Sequence, residues 1–278
     1  MSEIAVRRKG KLGTSIWAIG AWIIGILFFF PVLWMVLTSF KTEADAYSTT
    51  PHLVFKPVFE QYASVFSSGI GPYLVNSLLA TVVSTALVLV LAVPAAYALS
   101  IYAVRKVQNA LFFFISTKML PVVAAIIPIY LAARSISGLD NIWTLVVLYT
   151  GMNLPIAVWM MRSFFLEVPP EMLEAARMDG AKLGQEIRHV LLPVVAPGIA
   201  ATALICVIFT WNEFFFALNL TTIRASTMPV FLVSFITSEG AYWARLAAAA
   251  TLASIPVLLA GWFAQKQLVR GLSMGAVK

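Results

Sequence analysis

Six long apolar segments alternate with short polar segments along this chain of 278 residues. Each apolar segment has about 20 residues or more, the length that an α-helix needs to cross the hydrocarbon core of a bilayer. We therefore predict an all-α membrane protein with six transmembrane helices, near residues 16–38, 73–99, 110–132, 142–163, 191–218 and 245–264. No linker or low-complexity tract divides the chain, so we expect a single transmembrane domain over residues 1–278.

The first apolar segment follows a basic N-terminal stretch, a pattern that a cleaved signal peptide shares. Its centre, Phe28–Trp34, is bulky, and no small-x-small cleavage site directly follows the apolar segment. Because signal peptides have a shorter apolar region and such a site, we expect a retained membrane anchor.

Composition and charge agree with a membrane protein. Hydrophobic residues make up 61% of the chain and charged residues 11%, whereas soluble domains have about 25% charged residues. The net charge of +7 is spread between apolar segments and forms no dense basic surface for nucleic acid. Lys and Arg concentrate in alternate connections, so the positive-inside rule places both termini and the segment 167–190 in the cytoplasm. The single Cys206 has no partner for an intrachain disulfide, and we expect it to pack in the interior.

The segment 167–190 is a mixed-charge stretch within this apolar chain. Pro169 and Pro170 favour the first turn of a helix, and Glu174 lies near its positive end. Gly180 supplies a stop. A second amphipathic run follows, with four apolar residues predicted on one face: Leu183, Ile187, Val190 and Leu191. The pattern predicts a helix, a turn and a further helix that enters the membrane.

This segment has two interpretations, a solvated surface loop or a docking element for a soluble subunit. The spacing favours docking: Glu174-Ala175-Ala176 is followed by Gly180, then by Val190 and Leu192-Pro193. This pattern resembles the cytoplasmic EAA loop of permease subunits of ATP-binding-cassette importers, although the family often has Ile at the position of Val190. The resemblance implies a type I ABC importer permease fold, with a coupling-helix loop at 167–190. Seven residues would then contact the ATPase: Met172, Glu174, Ala175, Ala176, Asp179, Gly180 and Leu183.

Other motifs extend the resemblance over nearly the whole chain. Lys118–Pro121, Trp211–Glu213 and the tail Gly275–Lys278 are similar to those of maltose-permease-like proteins, and the stretch around Trp211 looks most like mannitol and sorbitol permeases. The resemblance implies a non-catalytic subunit in the bacterial cytoplasmic (inner) membrane. Its implied partners are a second, non-identical permease, a dimer of cytoplasmic ATPases and an extracytoplasmic solute-binding protein. The chain lacks a Walker A pattern, so we expect no cofactor on it and ATP with Mg²⁺ on the ATPases.

Polar residues inside the apolar segments are candidates for a substrate pathway, because they are costly in a membrane. Asn153, Trp211, Asn212 and Glu213 combine hydrogen-bonding groups with an aromatic face, which suits a polyhydroxylated solute. The alternative is that they tie helices together. We expect the ammonium of Lys118 to reach the cytoplasmic interface along its own stem, and we expect the prolines within the spans to kink them.

Two external segments and a few weaker motifs remain. We expect residues 39–72 to form an irregular loop with one short helix. Within 219–244, the apolar stretch Met228–Phe235 is too short to span, and is either a re-entrant lip or a segment packed on the helix ends. Gly271–Gly275 matches G-x-S-x-G by chance, since no acid or His follows. His52 and His189 are too few for a metal site.

Three other classes of function compete with an importer subunit, and one of them, a purely structural membrane subunit, gives no reason for the EAA loop. An ion-driven secondary carrier would favour several buried acids or histidines, whereas this chain offers one acid, Glu213, within its spans. A membrane enzyme would need a nucleophile with a base or a metal set, and the sequence shows neither.

Overall fold

The computed structural model describes residues 11–50, 53–102, 105–238 and 240–275, which are mostly helical. The helices are α1 Lys11–Thr38, α2 Glu43–Tyr47, α3 Glu60–Ser67, α4 Ile70–Ile101, α5 Val107–Met119, α6 Val122–Ser135, α7 Ile142–Leu166, α8 Pro170–Met178, α9 Leu183–Gln185, α10 Leu192–Trp211, α11 Phe215–Leu220, α12 Met228–Val233 and α13 Trp243–Gly275. A π-helical turn, Glu186–Leu191, joins α9 to α10. Strands β1 Ile236–Thr237 and β2 Gly240–Ala241 pair antiparallel, with Ile236 opposite Ala241.

The number of predicted spans is confirmed, with one span broken. Five segments of the described chain are long and apolar enough to cross a membrane: Trp17–Thr38, Ile70–Ile101, Ile142–Leu166, Leu183–Trp211 and Trp243–Lys266. The pair α5 and α6 makes a sixth span if counted together, but its halves are bent by 89°. The expectation that proline kinks the span at 110–132 holds at Pro121, but the kink is a full break, because the chain is extended at Leu120 and Pro121 and Pro121 cannot continue the hydrogen-bond ladder of α5.

The predicted fifth span, 191–218, is wrong at its C-terminal end. Helix α10 stops at Trp211, and the apolar residues after it form the separate helix α11. An apolar run alone does not show where a helix ends, since its composition is the same on both sides of the break.

The described residues cluster into two compact units. One contains the residues up to Ser67 together with Phe235–Leu252, and the other contains Ser68–Ser234 together with the residues from Ala253. The prediction of a single domain over 1–278 stays a prediction.

Helices α4, α7 and α10 form the centre of the second unit. The buried face of α4 carries small or β-branched residues at helical spacing: Ser77, Thr81, Ser84, Val88, Ala92 and Ala96. Small side chains let helix backbones approach closely in a membrane. Cys206 of α10 is fully buried in a cluster with Val88, Ala157 and Val158, so the prediction that it packs in the interior is confirmed.

The segment after α11 packs on the N-terminal part of α4. The backbone N–H of Met228 donates to Ser77 Oγ at 2.7 Å, and the rings of Tyr73 and Phe231 lie 4.8 Å apart. Met228 and Phe231 are buried. Of the two interpretations of Met228–Phe235, packing is therefore observed for α12, while a role as a lip stays a hypothesis.

Asp140 holds the loop before α12 in place. Its carboxylate accepts backbone N–H groups of Thr222, Ile223, Arg224 and Ala225 at 3.0–3.2 Å. Burial alone would raise the pKa of Asp140, but these four donors stabilise the charged form and together lower the pKa well below its usual value.

The first unit contains α1, α2, α3, the β-hairpin and the start of α13. The segment 39–72 has two short helices where the sequence predicted one. Glu43 accepts the backbone N–H groups of Ala244 and Arg245 at 3.1 and 3.0 Å, which satisfies donors at the beginning of α13. No residue of Trp17–Thr38 is fully buried within the described chain, and most of its large apolar side chains are exposed, so lipid or another protein covers them.

Candidate functional site

The segment 167–190 has the predicted helix and turn. Helix α8 begins at Pro170 and ends at Met178. The turn is closed by backbone bonds from Gly180 N–H to Arg177 O and from Ala181 N–H to Ala176 O, both 3.0 Å. Gly180 has φ +79°, a left-handed conformation that residues with a Cβ rarely adopt. The turn therefore depends on glycine at this position.

Helix α8 is attached to the bundle by one apolar side chain. Leu173 is 4% exposed and packs in a cluster with Tyr97, Phe165 and Leu191. Most of the predicted contact residues are exposed, and only Ala176 is half-buried: Met172, Glu174, Ala175, Ala176, Asp179, Gly180 and Leu183. The surface of α8 away from Leu173 is thus uncovered within the described chain.

One residue of this segment differs from the prediction, and a second exposed apolar residue was not predicted. Leu183 is 51% exposed, while Ile187, Val190 and Leu191 pack toward the core. The prediction that all four share one face is wrong, because the π-helical turn at Glu186–Leu191 changes the angular spacing between them. Met178, which the sequence analysis did not single out, is 89% exposed. Its apolar side chain, two residues before the helix stop at Gly180, is the sequence feature that could have identified it.

A polar cluster that no sequence pattern predicts ties α8 to the bundle. The guanidinium of Arg177 donates to both carboxylate oxygens of Glu186, at 2.8 and 2.9 Å. The hydroxyl of Tyr97, on α4, donates to Glu186 Oε1 at 3.1 Å. The Glu186 side chain is 3% exposed and that of Arg177 is 50% exposed. The hydrogen bonds to Glu186 and its adjacent negative charge raise the pKa of Arg177 above its usual value, so this arginine stays charged.

The predicted pathway residues lie around the C-terminal end of α10 but point to different partners. Asn153 is fully buried and its amide donates to Tyr149 O at 3.0 Å and to Thr210 Oγ1 at 2.9 Å. Trp211 is 5% exposed and its indole N–H donates to Ala253 O at 3.1 Å. These contacts tie α7 and α13 to α10.

The other two predicted residues follow Trp211. Asn212 is exposed and its amide donates to Ile208 O at 2.8 Å, within its own helix. Glu213 accepts the backbone N–H groups of Phe216 and Ala217 at 2.8 and 3.3 Å. Glu213 thus satisfies the first donors of α11, and Asn212 is the residue of the four with an exposed polar side chain.

A cleft of about 420 Å³ lies beside the break between α5 and α6, lined in part by Thr117, Lys118, Gly151, Met152, Pro155 and Phe216. The ammonium of Lys118 donates to Met152 O at 3.0 Å and lies 5.7 Å from the centre of the Phe209 ring. Met152 is in the middle of α7. The prediction that Lys118 reaches toward the interface is therefore wrong, since the bend after Met119 lets its ammonium find a carbonyl within the bundle.

Several weaker sequence motifs have no site around them. Gly271–Gly275 is part of α13, whereas a nucleophile elbow needs a strand and a sharp turn. No group of three or more His, Cys, Asp or Glu side chains in the described chain could hold a metal. His52 and the end of the tail, 276–278, lie outside the described residues.

Comparison with known proteins gives one family. The sequence model described as "Binding-protein-dependent transport system inner membrane component" matches residues 89–274. A probable ABC transporter permease of Sinorhizobium fredii is 37% identical over 95% of this chain and 95% of its own length. The diacetylchitobiose uptake system permease DasC of Streptomyces coelicolor is 33% identical over 97% and 99%, and the trehalose/maltose transport system permease MalG of Thermococcus litoralis is 30% identical over 98% and 99%.

A solved structure has the same fold. A chain of a bacterial ABC transporter that imports the acidic polysaccharide alginate superposes with a TM-score of 0.73. The match covers 94% of this chain and 98% of the other, at 24% identity. The two chains therefore share their overall fold over nearly their whole lengths.

Proposed function

This chain belongs to the family of binding-protein-dependent transport system inner membrane components, and we propose that it carries a sugar or sugar alcohol across the bacterial cytoplasmic membrane. It is a multi-pass permease of an ABC importer. In the proposed assembly it forms the pathway with a second, non-identical permease and receives its solute from an extracytoplasmic binding protein. Both of its termini are cytoplasmic, and ATP with Mg²⁺ binds on separate ATPase subunits.

The exposed surface of α8 carries the proposal for coupling. Ala175 is exposed, so the backbone of α8 can come close to a cleft on an ATPase, and Met172 adds a half-exposed apolar contact at 39% exposure. Glu174 is exposed on the same short helix, and its carboxylate suits an arginine on the partner. Leu173 meanwhile keeps α8 attached to the permease.

The attachment of α8 through Leu173 is the proposed route by which motion of α8 reaches the membrane spans. Closure of an ATPase dimer on ATP moves the element that sits in its cleft, here α8. The cluster around Leu173 contains residues of α4, α7 and the π-helical turn, so a displacement of α8 pulls on three spans at once. Such packed clusters transmit strain because they are dense. The pair of permeases thereby changes from inward-facing to outward-facing.

The names of the relatives support a carbohydrate as the solute. Two of them, named for diacetylchitobiose and for trehalose and maltose, align over nearly the whole chain. The likeness around Trp211 to mannitol and sorbitol permeases extends the proposal to sugar alcohols. Since Trp211 and Asn153 are buried and bonded to neighbouring helices, we assign them a structural role. Asn212 is left as the proposed solute contact among the four, and Lys118 joins it because its ammonium lines the cleft.

The test is ATP hydrolysis by the complete complex in lipid, with binding protein and a panel of sugars and sugar alcohols. We expect one solute to stimulate hydrolysis, and Ala175→Trp to remove stimulation and transport, because a large side chain prevents close approach to the ATPase. Gln108→Trp is the matched control, since Gln108 is also exposed, in the first turn of α5. Full stimulation in Ala175→Trp, with normal protein levels, contradicts docking through α8. Solute flux that follows an ion gradient without ATPase contradicts the importer itself.

A further inference from the structure

A cavity of about 480 Å³ in the first unit is lined by two side chains of opposite charge that form no ion pair with each other. Its lining includes Trp34, Thr38, Lys41, Asp45 and Trp243. Lys41 is 2% exposed. Its ammonium lies over the ring of Trp34 at 4.3 Å and over that of Phe55 at 5.2 Å, and within the described chain it pairs with no carboxylate. A buried cation without an anionic partner is costly, so an anionic group bound beside Lys41 would be strongly stabilised.

The cavity also offers a second donor and an acceptor. The hydroxyl of Thr38 is buried and has no hydrogen-bond partner among the described residues. Asp45 accepts a hydrogen bond from Thr42 Oγ1 at 2.9 Å, and a carboxylate has further acceptor sites beyond one such bond. The lining thus matches a ligand that carries both an anionic and a cationic group.

The position along the chain indicates the headgroup region of the membrane. Lys41 follows the end of the span Trp17–Thr38 by three residues, and the span Trp243–Lys266 begins at the other wall of the cavity. Trp residues are enriched at this level of a bilayer. The remaining lining is mostly apolar, with Met35, Leu246 and Ala247, which favours a ligand with an attached hydrocarbon chain over a free ion.

We propose that this cavity binds one phosphatidylethanolamine molecule, with its phosphate on the ammonium of Lys41 and the hydroxyl of Thr38, and its headgroup ammonium on Asp45. Phosphatidylglycerol has the phosphate but no cation for Asp45. Phosphatidylcholine has a cation that cannot donate a hydrogen bond. The presence of both Lys41 and Asp45 in the lining therefore gives selectivity among lipids, and the phosphate of the bound lipid neutralises the buried ammonium.

Native mass spectrometry of the intact complex tests the proposal, after release into mild detergent from vesicles that contain equal amounts of the three lipids. We expect one phosphatidylethanolamine to stay bound per copy of this chain. In Lys41→Gln we expect about tenfold less, because a lost charge-assisted bond commonly costs a tenfold change in affinity. Lys41→Arg should keep the lipid, because it keeps the cation. Lys56→Gln is the matched control, since Lys56 is an exposed lysine of the same segment and does not line the cavity.

Asp45→Asn separates the two halves of the proposal. We expect it to keep a bound phospholipid but to lose the preference for phosphatidylethanolamine over phosphatidylglycerol. If Lys41→Gln does not assemble, Asp45→Asn still tests whether the cavity selects phosphatidylethanolamine. Equal retention of all three lipids by the natural protein, or full retention in Lys41→Gln, overturns the proposal. So does a crosslink from residue 41 to a carboxylate side chain of another subunit, which would show that a protein fills the cavity.

Discussion

Removal of the Glu186 carboxylate should loosen α8 from the bundle. Glu186→Ala leaves the guanidinium of Arg177 half exposed to water, which can solvate it, but leaves the Tyr97 hydroxyl without its acceptor. Hydrogen bonds to a charged acceptor contribute about 1.5–3 kcal/mol. We therefore expect Glu186→Ala to destabilise the folded permease by about 2 kcal/mol, with most of the loss coming from the Tyr97 contact.

A double-mutant cycle measures that contact. Tyr97→Phe removes the hydroxyl and keeps the ring, which also packs against Tyr102 and Phe165. The assay is the apparent melting temperature of the purified complex together with ATP hydrolysed per solute transported. If the Tyr97–Glu186 bond is real, Tyr97→Phe should cost much less in the Glu186→Ala background than alone. Both single variants should also hydrolyse more ATP per solute.

Additive losses of stability in the double variant would refute the reasoning. Glu186→Gln provides the control for shape, because its amide oxygen can still accept from Tyr97 and Arg177 while the charge is gone. The melting temperature of Glu186→Gln should lie between those of the natural protein and Glu186→Ala. A Glu186→Gln variant that is as unstable as Glu186→Ala would show that charge alone matters and that the hydroxyl bond contributes nothing.

Three further predictions concern single positions. Gly180→Ala should destabilise the turn by about 1 kcal/mol, because a Cβ is strained at φ +79°. Gly184→Ala should not, since Gly184 has no positive φ, and at both positions nothing lies within 4 Å of an added Cβ. Gly198→Ala should lower the free energy of unfolding by about 1–3 kcal/mol and with it the melting temperature, because the new Cβ would overlap the ring of Phe164. Asp140→Asn should destabilise the permease by about 1 kcal/mol at neutral pH, since an amide is a weaker acceptor for the loop N–H groups.

The physical cause of each of these three predictions determines its assay. For the glycine variants, melting temperatures suffice, and equal effects of Gly180→Ala and Gly184→Ala would contradict the role of the positive φ. For Asp140 the measurement is melting temperature against pH. The depressed pKa contributes stability that is present above the usual pKa of Asp and is lost as the pH falls through the lowered value. The natural protein should therefore lose more stability on acidification below about pH 4 than Asp140→Asn, and parallel curves would rule this out.

The elements that the sequence predicts well are set by local rules. Apolar length gives the number of spans, and Pro170 with Gly180 gives both ends of α8. The breaks are harder to predict, because proline alone does not determine them. Pro128 and Pro155 lie inside continuous helices, whereas the chain breaks at Pro121. The difference lies in tertiary contacts, such as the bond from Lys118 to Met152 O, that no local pattern contains.

In the candidate site too, local patterns predict some features, and others depend on tertiary contacts. The sequence predicts Trp211–Glu213 as neighbouring candidates for a substrate pathway, but α10 ends at Trp211, so the next residues follow a different backbone path. Trp211 then points to α13, and Glu213 satisfies the N–H groups of α11. The Glu186 cluster was missed because Tyr97 is 89 residues away in the sequence. Its recognition needs the packing of α4 against the π-helical turn.

The two attachments of α8 have different physical properties, and this difference bears on coupling. Burial of Leu173 stabilises the attachment by roughly 2 kcal/mol and is non-directional, so α8 can rotate about this side chain without losing it. The bonds of Arg177 and Tyr97 to Glu186 are directional and weaken steeply when their angles change. Leu173 therefore keeps α8 on the bundle, and the Glu186 cluster sets its angle. Loss of Leu173 should then reduce assembly with the ATPase, whereas loss of Glu186 should leave assembly intact and reduce the transport obtained from each ATP.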